Sequence, residues 1–420
     1  MRTMAVQSSP EETYHLHKRD ECVKFVERYK RSEHLAAAII LSTFSLVRLS
    51  DLSELEMLLL DELSPTEAEK ADTRMPKDPY ISVNTLLAVI HGEWSKDQEG
   101  LQYVGLGKHS RQALQMIWEQ FPALRDPIRN WLFHLYQVYS YRTTFDAYQI
   151  VCAFARMISL DFEDSKRRIF PRLFSDRDYT NLLASVMYKL YEEISLRQEI
   201  ENMLLNWVDS KSDWLWRPAF LACSSLMPQM NEEKFDSSLK RKMRQRLAHL
   251  TRYDSRFIAA LLMQSQYFRT MLAGLLGKMI RQEERQKGRL GIAQTYLYLL
   301  RFCYYFVSAD RKALPLAACD TAEQQRSLSP VVGEVLSQVN LRRQLLVILS
   351  AYMKELSHYQ YDAVLLNHLS AFFYNMVRSN PDYWSEILQF LYDCSGKLPR
   401  QIYDCLCSKL PLSKIAIIPQ

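Results

Sequence analysis

Glycine is nearly missing from this chain. Ten glycines serve 420 residues, and none lies between Lys108 and Ala273. Most phosphate- and nucleotide-binding folds need glycine-rich loops to bring backbone amides close to an anion, so this scarcity argues against them. Long apolar runs are missing as well. The longest, Leu35 to Val47, is bounded by His34 and Arg48 and falls short of the roughly 18 residues that a membrane-spanning helix requires, so it reads as a buried core helix. Residues Gln7 to Lys18 are polar and charged, without the apolar core of a secretory signal, so neither export nor a membrane partner is expected. Paired metal-ligand spacing is absent too: His15-Leu16-His17 lies near Cys22, and Cys405-Leu406-Cys407 near the other end, but neither forms a closed zinc set. No metal and no cofactor is expected. No run joins sustained alternation to Asn-Gly or Asp-Gly turns, so strands are not expected either.

What remains is helical. Hydrophobic residues make up 48% and charged residues 24%, enough to bury a large core. At 420 residues the chain exceeds the roughly 250–300 residues at which single cores stop growing, so it should form two lobes or one long array. A net charge of +5 is small against 53 basic and 48 acidic residues, and the global balance does not mark a nucleic-acid binder. Eight cysteines, Cys22, Cys152, Cys223, Cys303, Cys319, Cys394, Cys405 and Cys407, fall mostly in apolar helical runs, as free thiols do in a reducing cytoplasm.

Helix starts are legible. Ser9-Pro10-Glu11-Glu12 and Ser64-Pro65-Thr66-Glu67 each combine an N-cap serine, a proline at the first helical position and a glutamate at the third. Asn380-Pro381-Asp382 and Ser329-Pro330 carry the cap-plus-proline half of that signal. Apolar residues then recur at three and four: Leu114, Ile117, Trp118 and Phe121; Ile128, Trp131, Leu132 and Leu135; Tyr148, Val151, Cys152 and Ala155. These are amphipathic helices of about twelve to eighteen residues. Trp118-Glu119-Gln120-Phe121, with Leu124-Arg125, Ile128, Asn130 and Leu132, returns as Tyr191-Glu192-Glu193-Ile194, with Leu196-Arg197, Ile200, Asn202 and Leu204. The offset is 73 residues, slipping to 72, which suits two helical hairpins of about 36 residues each. Leu341-Arg342-Arg343-Gln344-Leu345 is a fainter echo. Proline clusters in 62–82, four glycines in 92–108, and a break in 309–330 divide the chain into an N-terminal helical cap (1–75), a HEAT-like array (76–308) and a C-terminal helical bundle (309–420).

The segment Trp118-Glu119-x-Phe121-Pro122-x-Leu124-Arg125-x-Pro127, leading into Trp131-Leu132 and then Phe162, Pro171 and Phe174, resembles the HEAT-like regions at the C-terminal, sensing end of bacterial STAND-type ATPases and related defence proteins. The likeness covers about residues 80–250. It implies an α-solenoid that recognises a partner, and because this chain lacks a nucleotide-binding module, the ATPase activity does not carry over.

Three stretches invite a chemical reading. Gly105-Leu106-Gly107-Lys108-His109-Ser110 has Gln102 and His109 where a phosphate-binding loop needs glycine and a Ser or Thr, and no hydrophobic strand is seen to feed it. Arg129-Asn130-Trp131-Leu132-Phe133-His134 is similar to the R-N-x-x-x-H pattern of HEPN ribonucleases, and Arg244 with His249 repeats the spacing. There histidine would move protons and arginine would stabilise the phosphorane. Residues five apart on one helix nevertheless point about 140° from each other, and Pro127 as a helix start puts Arg129 and His134 on one helix.

The sharpest electrostatic feature is Lys234 to Arg256, where Lys234, Lys240, Arg241, Lys242, Arg244, Arg246, Arg252 and Arg256 oppose only Asp236 and Asp254. Leu239, Met243, Leu247 and Leu250 supply the apolar stripe, so the basic residues should face outward. Lys278, Arg281, Arg285, Lys287 and Arg289 continue the positive character, while 51–72 holds eight acids against Lys70. The expectation is an all-α, HEAT-like solenoid without catalytic residues that binds a protein partner. Lys240, Arg241, Lys242, Arg244, Arg246, Arg252, Arg256, Lys278, Arg281 and Arg285 would meet an acidic partner or, alternatively, nucleic acid.

Overall fold

The computed structural model describes residues 33–44, 46–63, 93–96, 102–106, 110–139, 147–230, 232–310, 321–358 and 363–395. It is all-α, built from helical hairpins set side by side in the manner of HEAT-like solenoids. Its contacts divide it into two compact units, Met1–Ile200 and Glu201–Gln420.

The first unit is built around α1 (Glu33–Phe44), whose residues 35–44 are all buried, as an apolar run of that length requires. Ser42 and Thr43 are tolerated there because their hydroxyls donate to the carbonyls of Ala38 (2.6 Å) and Ile39 (2.7 Å), one turn back. Helices α2 (Leu49–Leu63), α3 (Ser110–Gln120) and α5 (Ala147–Leu160) pack around α1, and α4 (Arg125–Tyr139) packs on α2 and α5. The short α6 (Phe162–Arg168) and α7 (Phe170–Phe174) then lead to α8 (Thr180–Tyr191), which returns onto α5.

The unit also holds strands, against the sequence expectation. β1 (Leu46–Arg48), β2 (Glu93–Lys96) and β3 (Gln102–Gly105) form a small antiparallel sheet with β3 in the middle. Three or four residues hold at most two turns of the alternating period, too few to register as a pattern. The inward-facing Val47 and Val104, paired across β1 and β3, are buried. A strand therefore does lead into Gly105, with α3 starting at Ser110; residues 107–109 lie outside the described set, as do the histidine and cysteine clusters at the two ends.

Helix α9 (Arg197–Asp209) carries the boundary between the units. Beyond it follow α10 (Asp213–Leu226), α11 (Glu232–Ala248), α12 (Arg252–Gln264), α13 (Gln266–Gln282), α14 (Gln286–Asp310), α15 (Ala322–Ser337), α16 (Val339–His358), α17 (Ala363–Ser379) and α18 (Trp384–Ser395). From α10 to α17, helices two positions apart lie side by side. One layer runs α10, α12, α14, α16 and the other α11, α13, α15, α17, which is how stacked αα-hairpins bury a continuous core. Pro330 lies inside α15 rather than at a helix start; Thr321 supplies the cap, its side chain accepting from the Gln324 amide. A Ser-Pro pair has the same sequence signature in either place. Of the described aromatic residues near the C-terminus, Tyr352, Phe372 and Phe373 are buried, Tyr374, Tyr383, Trp384 and Phe390 are half-buried and Tyr392 is exposed; the Tyr352 hydroxyl donates to the Leu300 carbonyl at 2.8 Å.

One arginine geometry recurs at the hairpin junctions. Arg125, Arg197, Arg269 and Arg342, at intervals of 72, 72 and 73 residues, donate to the carbonyls of Trp118 (2.9 Å), Tyr191 (3.0 Å), Leu262 (2.9 Å) and Leu336. Each arginine opens or lies in the first turn of a helix and reaches a carbonyl in the last turn of the helix before it, where backbone acceptors have no helical partner and a cation suits the dipole. A leucine or phenylalanine precedes every one: Leu124, Leu196, Phe268 and Leu341.

Candidate functional site

The basic run becomes α11. Phe235, Leu239, Met243 and Leu247, four residues apart, turn inward and are fully buried, which places Lys240, Arg241 and Arg244 on the open side. Helix α13 runs beside it but does not close against it along its length. The result is a cleft of about 770 Å³, walled by Lys240, Arg241 and Arg244 of α11 and Lys278 of α13, with Ala248, Met271, Gly274 and Leu275 as its apolar lining. A Cβ at Gly274 would meet nothing within 4 Å, so this stretch of wall is open. Asp236 and Glu323 also border the cleft. Asp236 is occupied: Lys240 Nζ lies 2.6 Å from one oxygen, and the Tyr267 hydroxyl donates to the other at 2.9 Å. Arg241 pairs with Asp209 at 2.6 Å, and Arg244 donates to the Gln282 side-chain oxygen at 3.2 Å.

The structure thus divides the predicted set. Lys240, Arg241, Arg244 and Lys278 converge on the cleft. Arg252 and Arg256 are exposed, but on α12 in the other layer, and Arg281 and Arg285 are exposed near the end of α13 without lining the cleft. For two residues the outward expectation is corrected. Lys242 is only 4% exposed, its ammonium donating to the Ser210 carbonyl; burial, and then the neighbouring Arg246, push its pKa below the usual lysine value. Arg246 turns back in the same direction to Asp213 (2.7 Å) and lies over the Trp216 ring at 4.8 Å. The turn before α10 claims both, because its carbonyls and the Asp213 carboxylate need donors.

Asp213, its side chain 43% exposed, belongs to a partly buried network that periodicity does not reveal. Trp216 Nε1–H donates to it at 2.8 Å, and Arg217 bridges it at 3.4 Å to Asp254 at 2.9 Å. Burial works against the Asp213 carboxylate, but the Trp216 bond and the two arginines more than offset it, and its pKa lies below the ordinary aspartate value. Asp254, 1% exposed, also accepts from the Thr251 hydroxyl at 2.9 Å while its amide donates back to Thr251 at 3.1 Å, capping α12. This set ties α10, α11 and α12 together behind the cleft.

Arg129 and His134 lie on the single helix α4, as Pro127 implied, and they are not brought together. The Arg129 guanidinium is buried over the Trp118 ring (5.0 Å) and committed to Asp126 (2.7 Å) and Asp164. The His134 imidazole is 41% exposed and lies 3.7 Å from Glu62. Arg244 faces Gln282, while His249 is an exposed residue just past the end of α11. Among the described residues no cluster of His, Cys, Asp and Glu could hold a metal ion, and no helix is long and apolar enough to cross a membrane. Cys152, Cys223, Cys303 and Cys394 form no disulfide, and burial pushes the thiols of Cys223 and Cys303 up to about 12.

No protein-family model matches the chain, and no curated protein does. Among solved structures, a crystal structure of an engineered protein aligns with 96% of this chain and 95% of its own, at 11% identity and a TM-score of 0.26. A likeness that loose says nothing about the site.

Sequence reasoning found the α11 half of the cleft through its charge run. On α13 it found Lys278 and missed Tyr267, Thr270, Met271 and Leu275, because those residues look like any amphipathic helix until their neighbour is known.

Proposed function

We propose that this chain is a non-catalytic binding protein, a free-standing recognition array whose second unit takes an acidic, amphipathic helix of a protein partner in the cleft between α11 and α13. One observation carries the reading: four cations, Lys240, Arg241, Arg244 and Lys278, rim a cleft whose lining includes Met271, Leu275 and Ala248. An amphipathic helix laid in such a groove buries its apolar stripe while its flanking carboxylates meet the rim. Both walls are helices of 17 residues, about 25 Å long at ~1.5 Å per residue, enough for a partner helix of about four turns. The rim charges set orientation and encounter rate, and the apolar lining supplies most of the affinity. No bond is made or broken. The resemblance to sensing arrays of defence ATPases fits an accessory role in such a system, within the cytoplasm.

Site-specific crosslinking tests this directly. Met271→p-benzoylphenylalanine, irradiated in native host lysate, is expected to capture one protein whose crosslink survives nuclease and disappears in the Lys240→Glu, Arg244→Glu background. A crosslink abolished by nuclease, or one indifferent to the two reversals, would reject the cleft as a protein site.

A further inference from the structure

The other layer of the second unit presents a different surface. Helix α14 is flanked by α12 and α16 and backed by α13 and α15, so among the described elements nothing covers its remaining side. Along that side the exposed residues are Lys287, Gly291, Gln294, Tyr298 and Arg301, spaced four, three, four and three apart. The exposed stripe of α12 carries Arg252, Tyr253 and Arg256, and that of α16 carries Arg343, Val347 and Lys354. In each helix this stripe lies opposite the buried one, so the three run next to one another across a single face. Among the described side chains of these helices the one carboxylate is Asp254, and it is buried and held by Arg217. The cations of α11 are mostly engaged by Asp236, Asp209, Asp213 and the Ser210 carbonyl. Arg252, Arg256, Lys287, Arg301 and Arg343, by contrast, have no carboxylate within ion-pair distance among the described residues. Tyr253 and Tyr298 stand among them, 62% and 45% exposed.

We propose that this α12–α14–α16 face binds the backbone of a single-stranded nucleic acid, with Tyr253 and Tyr298 stacking on its bases. Five uncompensated cations without a central apolar patch suit phosphates, whereas the centre of a protein interface is depleted in charge. Aromatic platforms set between cations are how single strands are held without reading sequence. Three helix axes about 8–10 Å apart span ~20 Å, the length of about six nucleotides at ~3.4 Å each. This inference is independent of the cleft.

The test uses the full chain with fluorescent 20-nucleotide oligo-U and oligo-dT, a 20-base-pair duplex, and polyglutamate. Single strands should bind with a log–log salt slope of about −3.5, five phosphates at ~0.7 each. That is ~100-fold weaker binding at 200 mM than at 50 mM salt. Comparable affinity for oligo-U and oligo-dT places the contacts on phosphate and base face; preference for oligo-U places RNA first. Arg256→Glu with Arg301→Glu should lower the slope by about 1.4. Tyr253→Ala with Tyr298→Ala should weaken single-strand binding about tenfold or more at unchanged slope. Lys240→Glu with Arg244→Glu, at the cleft, should leave oligonucleotide affinity as it was. All six positions are exposed, so far-UV circular dichroism should be unaltered. Salt-insensitive binding, tighter binding of the duplex, or polyglutamate competing equally in the tyrosine variant would overturn the proposal, the last in favour of an acidic protein.

Discussion

Gly277 offers the sharpest check on how the two layers are held. It lies on α13 where that helix crosses α15, and a Cβ built there would sit 2.0 Å from the Ser327 carbonyl oxygen, 2.8 Å from its carbon and 3.2 Å from its Cα. These are backbone atoms, so no rotamer change relieves the clash; the helices must separate by more than an ångström to restore van der Waals contact. Overpacking of this kind costs up to ~3 kcal/mol, while replacing a helical glycine by alanine returns ~1 kcal/mol of propensity. Gly277→Ala should therefore destabilise the second unit by about 2 kcal/mol. Gly291→Ala is the matched control, because its Cβ would meet nothing within 4 Å, and only the propensity gain of ~1 kcal/mol should appear. With a urea m-value of ~2–3 kcal/mol/M, the ~3 kcal/mol difference separates the two midpoints by about 1–1.5 M. If Gly277→Ala unfolds at the same urea concentration as Gly291→Ala, the close approach of α13 and α15 is wrong.

Asp254→Ala should cost about 1–3 kcal/mol in the same urea experiment, because it removes the nearer carboxylate from Arg217, whose side chain is 12% exposed, and leaves only the part-exposed Asp213 at 3.4 Å; an unchanged midpoint would show that the pair is solvated. The Asp213 carboxylate has a folded pKa below the ordinary value, so the stability it confers is complete above about pH 4 and is lost as the pH falls through its folded pKa. The difference in urea midpoint between the parent and Asp213→Asn should follow that course between pH 5 and pH 2, and a difference independent of pH would deny Asp213 its charge-paired role. His134→Ala combined with His249→Ala should leave labelled RNA as stable as it is with the parent protein. A loss of cleavage activity in that variant would establish a ribonuclease in place of a binding array.

Local regularities carried much of the architecture. Apolar residues at three and four made the helices legible, and Leu124-Arg125 against Leu196-Arg197 exposed a long period. Phe268-Arg269 escaped notice at the same interval because its surroundings share little with the others; the hydrogen bond to Leu262 joins it to the series. Long-range facts stayed hidden. Lys242 and Arg244 are indistinguishable in a list of charges, yet the Ser210 carbonyl buries one and leaves the other at a cleft. Arg129 matched a catalytic pattern because that pattern records spacing and not the presence of Asp164, 35 residues on. Arg256, Arg301 and Arg343 meet on one face through helix stacking alone, and no short motif spans the 87 residues from first to last.

The junction arginines have a consequence for how such a chain can change in length. Each corner is closed by groups that lie within about seven residues of one another, so its geometry does not depend on what precedes or follows it. Excising residues 125–196 would join Leu124 to Arg197 and set that arginine seven places after Trp118, the same separation as Arg125 from Trp118 and Arg269 from Leu262. A gain or loss of one step of about 72 residues therefore keeps the corner at the splice, because the join brings together the same two groups at the same separation.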